Sequence, residues 1–268
     1  MQLIVTRPAL EAQAWLQDLS AAGHTALSLP LIDIASMRDT SQLVAAWQDW
    51  HSFQAVMFVS AQAVRMFFAQ RPEDTALDST PCWATGLGTR RALLQAGVAA
   101  HCIFSPPDNA AQFDSEALWD VVQANLTSDK AVLIVRGRDS TGLGASDPAN
   151  IQGAGRDWLA QQLQARGVPV QWLLAYERVV PRWTPQQLTQ AQTAASNASV
   201  WLLTSSQAVA NLQLLLPQQD WSQALCLATH ERVAQPAKAL GFAQCWTCRP
   251  VLSDVLEILS SQHPRIGL

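Results

Sequence analysis

Short apolar runs alternate with amphipathic stretches along almost the whole chain, and this rhythm constrains the fold more than any other feature. The expected strands are 2–6, 24–29, 54–59, 81–85, 100–104, 130–135, 169–180, 199–204, 223–228 and 243–247. Helical periodicity fills 8–21, 40–48, 61–70, 88–96, 113–125, 154–166, 185–195, 206–215, 230–240 and 251–260. In the first of these, Leu10, Ala14, Leu16 or Gln17 and Ala21 recur at near-helical spacing, and Gly23 supplies the stop. Strands separated by helices build βαβ units, and βαβ units build parallel sheets covered on both faces. The chain has 268 residues, enough for two such domains with a core each.

Two stretches break the rhythm. His24–Met37 is apolar and extended with Pro30 in its middle, and Pro169–Pro181 is also long and extended. Each exceeds an ordinary strand of ~5–6 residues. Read as crossovers, they give a discontinuous domain of residues 1–34 and 180–268 and an inserted domain of 38–170. Linker strands at 30–38 and 170–181 then pair as a stiff two-chain hinge.

A weak internal repeat supports two similar halves. Phe58-Val59-Ser60-Ala61-Gln62-Ala63-Val64 matches Leu203-Thr204-Ser205-Ser206-Gln207-Ala208-Val209. Ala84-Thr85-Gly86-Leu87-Gly88-Thr89-Arg90 likewise answers Leu227-Ala228-Thr229-His230-Glu231-Arg232. Each segment ends a strand and opens a helix. Such loops gather at the carboxyl edge of an open α/β sheet, where these folds bind ligands.

Several familiar chemistries are disfavoured. Gly86-Leu87-Gly88-Thr89-Arg90-Arg91 starts like a dinucleotide fingerprint, but Arg91 replaces its third glycine and no acidic ribose-binding residue follows at the required distance. It reads better as a turn presenting amides and the Thr89 hydroxyl to an anion, or as plain capping. Cys245-Trp246-Thr247-Cys248 lies inside an expected strand, whereas a redox C-x-x-C opens a helix, so these cysteines read as structural. The five cysteines are an odd number without a secretory signal, which argues against a disulfide framework. None of the five histidines is spaced with another as a metal ligand, and no G-x-S-x-G elbow is present. The net charge of −4 gives no general attraction to nucleic acid or membrane. No apolar run reaches the ~20 residues of a membrane helix. The start, Met1-Gln2-Leu3-Ile4-Val5-Thr6-Arg7-Pro8, reads as a strand and not as a signal peptide, so a cytoplasmic home is expected.

What remains points to an anionic ligand. Arg7, Arg90, Arg91, Arg136, Arg138, Arg178 and Arg232 cluster at strand ends, where guanidinium forks suit carboxylates. Taken singly, each is a solvated surface residue. Tyr176 is the only tyrosine and falls in the second crossover. Its phenol either donates a proton or hydrogen bond to a ligand or packs the hinge. Segment 137–155, rich in Gly, Ser, Asp and Asn, is expected to be a long mobile loop, a lid or an insertion, over 138–154.

These residues together resemble the uroporphyrinogen-III synthases. The resemblance rests on Val5-Thr6-Arg7-Pro8, Phe58-Val59-Ser60, Gly86 with Thr89, and Val135-Arg136-Gly137 with Gly155-Arg156 and Leu159. It continues through Tyr176-Glu177-Arg178 and Leu203-Thr204-Ser205-Ser206, in the right order over essentially the whole chain. It implies an α/β protein of two flavodoxin-like doubly wound parallel-sheet domains joined by a two-stranded β-ladder hinge, acting without metal or organic cofactor. The implied substrate is hydroxymethylbilane, an octacarboxylate. The implied reaction is loss of its terminal hydroxyl to an azafulvene and ring closure through a spiro intermediate that inverts the last pyrrole, giving uroporphyrinogen III for haem or sirohaem synthesis. Tyr176 matches the tyrosine that assists hydroxide departure. Thr6, Arg7, Ser60, Gly86, Thr89, Arg136, Gly137, Ser205, Ser206 and Thr229 match substrate-binding positions. A monomer in transient contact with hydroxymethylbilane synthase is expected. The rival readings are a non-catalytic two-lobed small-molecule-binding protein or sensor, and a nucleotide-dependent transferase, which the missing phosphate loop disfavours.

Overall fold

The structure is a computed structural model that describes residues 2–107, 110, 114–139, 157–249 and 251–266. In chain order the elements are β1 (Gln2–Val5), α1 (Ala9–Ala21), β2 (Thr25–Ser28), β3 (Asp33–Ser36), α2 (Ser41–Gln48), β4 (Ala55–Phe58), α3 (Ala61–Phe68) and β5 (Cys82–Ala84). There follow α4 (Leu87–Gln95), β6 (Ile103–Phe104), α5 (Ser115–Val122), β7 (Val132–Asp139), α6 (Asp157–Ala165), β8 (Val170–Val179) and α7 (Pro185–Ala195). The chain ends with β9 (Val200–Leu203), α8 (Ser206–Leu215), β10 (Leu225–Ala228), α9 (Glu231–Leu240), β11 (Gln244–Thr247) and α10 (Leu252–Ile266). It divides into two compact units, Met1–Ile34 with Val179–Leu268, and Ala35–Arg178.

The first unit holds a parallel five-stranded sheet in the order β11-β10-β9-β1-β2. Alternate strand residues feed two cores, as the two-residue period of a strand requires. Ile4, Trp201, Leu203 and Cys226 pack with Ala194 of α7, Val209 and Leu212 of α8, and Val233 and Ala237 of α9. Leu3, Val5, Val200, Leu202, Leu225 and Leu227 turn the other way, onto Ala12 and Leu19 of α1 and Val255 and Leu259 of α10. The sheet is buried on both faces, which is why its strands read as unbroken apolar runs.

The second unit is built on a six-stranded sheet, β3-β8-β7-β4-β5-β6, parallel from β8 through β6. Ala55, Met57, Trp83, Val132 and Ile134 meet Leu118 and Trp119 of α5 and Leu159 and Leu163 of α6. Phe58 points to the opposite face, into an aromatic cluster with Trp47, Trp50, Phe67 and Phe68; Trp47 stacks on Phe67 at a centroid distance of 4.4 Å. The chain passes between the units at Ile34–Ala35, within β3, and at Arg178–Val179, near the end of β8; β3 and β8 are neighbours in this sheet.

Both sheets are doubly wound, as expected. The first, renumbered from its own start, has the order 2-1-3-4-5 and reverses between β1 and β9. The second runs 3-2-1-4-5 from β4 onward and reverses between β4 and β7. At such reversals flanking loops diverge and open a crevice at the carboxyl ends of the strands.

The extended stretch after His24 forms two strands, β2 and β3, with Pro30, which has no amide hydrogen for a ladder, between them. Two local expectations are corrected. Residues 100–102 form a single 3₁₀ turn, leaving β6 only two residues. The strand over 130–135 continues to Asp139, so Gly137 and Arg138 belong to the sheet and not to a loop. Charge pairs across the ladder explain the extension: Arg138 pairs with Glu177, and Asp139 with Arg178 at 3.1 Å. The rest of the 138–154 segment, from residue 140, lies outside the described residues, as does Arg156.

Candidate active site

In the second unit the β7–β8 ladder runs in register from Val132–Val170 to Arg136–Leu174 and then slips by one residue. Without the slip, Gly137 would face Ala175 and Arg138 would face Tyr176. With it, Gly137 faces Tyr176. The consequence is close contact. A Cβ at position 137 would lie 2.4 Å from both Cε2 and Cζ of the tyrosine ring, so only glycine fits. The ring is 2% exposed, and its hydroxyl lies 3.2 Å from Ser60 Oγ, where either oxygen can donate.

Ser60 stands where β4 becomes α3. It is the N-cap, in extended conformation, and its Oγ accepts the Ala63 amide at 3.1 Å. A capping serine already spends one lone pair on the helix, so its hydroxyl has a fixed position from which to orient the phenol. Arg178 completes the cluster. Its guanidinium hydrogen-bonds Asp139 at 3.1 Å and lies 6.0 Å from the tyrosine ring centroid. Burial opposes its charge, but Tyr176 and Asp139 outweigh burial and hold the group above its ordinary value. Gly137, Ser60 and Tyr176 therefore come together, at the carboxyl end of the strands flanking the reversal.

The other expected residues of this unit are placed differently. Gly86 caps α4 without a side chain to satisfy the first amides, and Thr89 is buried two residues into the helix. Arg136 is buried beside the Trp172 ring, 5.2 Å from its centroid, and not displayed on a loop.

In the first unit, β1, β9 and β10 deliver the expected residues to one sheet edge, and most of their hydroxyls are already engaged. Thr6 is buried and donates to the Leu202 carbonyl, tying β1 to β9. Ser205 caps α8 by accepting the Ala208 amide at 3.1 Å, as Ser60 caps α3. Ser206 donates to the Arg232 carbonyl at 3.1 Å, and Thr229 to the Thr204 carbonyl at 3.4 Å. Arg7 lies 4.8 Å from the Trp15 ring centroid and 3.8 Å from Glu11. Burial lowers its pKa and Glu11 partly offsets this. His230, which sequence reasoning weighed only as a metal ligand, caps α9 by accepting the Arg232 amide at Nδ1.

Arg178 was also missed as a neighbour of Tyr176. Its signal was legible: Gly137-Arg138-Asp139 and Tyr176-Glu177-Arg178 carry complementary charges in parallel order. A concavity of about 650 Å³ lined by Leu126, Asp129, Arg166 and Val168 sits before β7 and β8, at the amino edge of this sheet and away from these residues. Among the described residues, no group of three or more His, Cys, Asp or Glu is placed to hold a metal, and no helix is long and apolar enough to cross a membrane.

The model of the uroporphyrinogen-III synthase HemD family matches residues 13–251. The chain belongs to the uroporphyrinogen-III synthase family. It is 25% identical over 246 residues to the uroporphyrinogen-III synthase of Salmonella typhimurium, covering 90% of this chain and 92% of that protein. Two solved structures share its fold. One is the uroporphyrinogen-III synthetase of Helicobacter pylori, with a TM-score of 0.56, 15% identity and coverage of 97% and 99%. The other is a mutant uroporphyrinogen III synthase of Thermus thermophilus, with a TM-score of 0.52, 14% identity and coverage of 99% of each chain. The resemblance carried by the strand-end motifs is thus borne out, and with it the class of enzyme, a cyclising lyase of tetrapyrrole synthesis.

Proposed function

We propose that this chain closes hydroxymethylbilane to uroporphyrinogen III with inversion of the last pyrrole, and that Tyr176 is the group that assists loss of the terminal hydroxyl. The observation that carries the assignment is the Tyr176–Ser60 hydroxyl pair held over Gly137. The phenol donates its proton to the departing hydroxyl, the carbon–oxygen bond breaks, and water leaves. The last pyrrole then attacks through its substituted carbon to give the spiro intermediate, which reopens and recloses inverted. Ser60 keeps the phenol on line. Arg178, beside the ring and neutralised by Asp139, steadies the charge that the phenol gains as its proton leaves.

The remaining positions bind and fold the substrate. Gly86, Thr89, Ser205, Ser206 and Thr229 lie where helices begin, so the carboxylates of the substrate meet backbone amides there. Thr6 and Arg136 support from within, since their side chains are buried. Sparse chemistry suits this reaction. The azafulvene closes without help to the uninverted ring, so the enzyme mainly holds one conformation and excludes the competing attack. A short-lived, acidic substrate also favours cytoplasmic action by a monomer in transient contact with hydroxymethylbilane synthase.

The test adds the protein to freshly made hydroxymethylbilane and resolves the oxidised products by isomer. The inverted isomer is expected. The uninverted isomer alone, at the rate seen without protein, would leave a two-lobed binding protein as the better reading.

A further inference from the structure

Cys245-x-x-Cys248 has no part in the proposed reaction, and the fold separates its two thiols. Cys245 packs against the core formed with α7, α8 and α9, whereas Cys248 packs against the core formed with α1 and α10. The sheet stands between them. The neighbour of Cys245 is Cys226. β10 and β11 are parallel, Cys226 and Cys245 are direct partners in their register, and both face the same core. Each thiol perturbs the ionisation of the other. Adjacent strands lie ~4.8 Å apart, within the ~4.4–6.8 Å range of Cα separations that a disulfide spans. Cys226 is fully buried, while Cys245 is half-buried on β11, the edge strand.

We propose that Cys226 and Cys245 form a hydroperoxide-sensitive dithiol that closes reversibly to a disulfide between β10 and β11, with Cys245 attacking and Cys226 resolving. In the first step the Cys245 thiolate attacks one peroxide oxygen. The O–O bond breaks, an S–O bond forms, and the other oxygen leaves as alcohol or water, giving a sulfenic acid. In the second step the Cys226 sulfur attacks that sulfenic sulfur. The S–S bond forms, the S–O bond breaks, and the hydroxyl leaves as water with the Cys226 proton. Two thiols are oxidised by two electrons and one hydroperoxide is reduced.

The surroundings select this pair. The neighbouring Cys226 thiol holds Cys245 below its ordinary value; burial opposes this, Lys238 adds to it, and Glu231, ion-paired to Lys238 at 3.1 Å, works against it. Cys245 and burial push Cys226 up. Burial pushes Cys82, Cys102 and Cys248 up as well, and of the facing pair Cys226 is buried while Cys245, on the edge strand, is the thiol a peroxide can reach.

The experiment exposes the reduced full-length chain to hydrogen peroxide, alkylates it under denaturing conditions and maps non-reduced peptides. A Cys226–Cys245 linked peptide is expected, lost on treatment with dithiothreitol and undiminished in Cys248→Ser. In Cys226→Ala, which removes only the resolving thiol, dimedone labelling of Cys245 is expected to rise several-fold over wild type. A Cys245–Cys248 link, intact thiols with no linked peptide, or Cys245 oxidised no faster than Cys82 would each overturn the proposal. The wild-type mapping decides the matter even if a variant folds poorly.

Discussion

Gly137→Ala is the sharpest probe of the Tyr176 arrangement. Gly137 lacks a positive φ, so alanine costs nothing in backbone strain there. The entire effect comes from the new methyl, which would sit 2.4 Å from two ring carbons where ordinary contact begins near 3.4 Å. The ring must move by about 1 Å, and a ring so buried moves only by displacing neighbours, which costs about 1–3 kcal/mol. The displacement also breaks the 3.2 Å contact with Ser60, adding about 1 kcal/mol. Stability is therefore expected to fall by about 2–4 kcal/mol in urea unfolding at unchanged m-value. Turnover is expected to fall on the order of 10²-fold, as for other ~1 Å misplacements of a catalytic group. The control is the same substitution in a Tyr176→Ala background, where the methyl meets no ring and most of the stability penalty should vanish. An equal penalty in both backgrounds would show that Gly137 is needed for some reason other than the tyrosine. Wild-type stability and turnover in the single variant would refute the contact itself.

Tyr176→Phe keeps the ring and loses the hydroxyl; single-turnover conversion should slow by tenfold or more, ~10²-fold at most, with the inverted isomer retained and the melt preserved. An unchanged rate would remove Tyr176 from the mechanism. Ser60→Ala removes the α3 cap and should cost about 1 kcal/mol in urea, with a smaller loss of turnover than Tyr176→Phe; a larger loss would make the serine the principal acid. Asn211→Leu strands the Leu31 carbonyl, which the buried Asn211 amide reaches at 2.7 Å, and should cost about 1–3 kcal/mol, read by chemical unfolding. Exhaustive dialysis against EDTA should leave turnover unchanged, and a loss restored by a divalent ion would sink the metal-free reading.

The doubly wound pattern was legible because strands such as β4, β9 and β10 are buried on both faces and helices such as α3 and α9 carry an apolar stripe; these are one-dimensional signals. The capping serines were legible for the same reason, since Ser60 and Ser205 each sit between an apolar run and a helical one. What the sequence hid depends on register. The slip that moves Tyr176 from Arg138 to Gly137 is marked only by complementary charges on segments far apart in the chain, and without it the glycine looks like the start of a loop. Thr6 and Arg136 look like strand-end ligands until the sheet buries them. The C-x-x-C motif misled similarly, because spacing along the chain cannot report which face of a sheet each thiol occupies, while the pairing of Cys226 with Cys245 spans a helix and is visible only in the ladder.

The charge pairs along β7 and β8 bear on the chemistry as well as on the fold. An azafulvene is an electrophile, and a free carboxylate beside it would compete with the last pyrrole for the reactive carbon. Asp139 and Glu177 are the carboxylates nearest Tyr176 in the ladder, and each is held by an arginine, Arg178 and Arg138 respectively. A carboxylate committed to a guanidinium is a poorer nucleophile, because its lone pairs are already engaged. In the proposed reaction the same pairing would reduce the repulsion of either acid toward an octacarboxylate substrate. The repeat shared by the two halves makes the point from the other side. Ser60 and Ser205 cap their helices alike, but only Ser60 has a phenol beside it, lodged over a glycine and flanked by neutralised charge. For the proposed reaction, the acid therefore belongs at the place where the two halves differ, and the positions they share serve to hold the substrate.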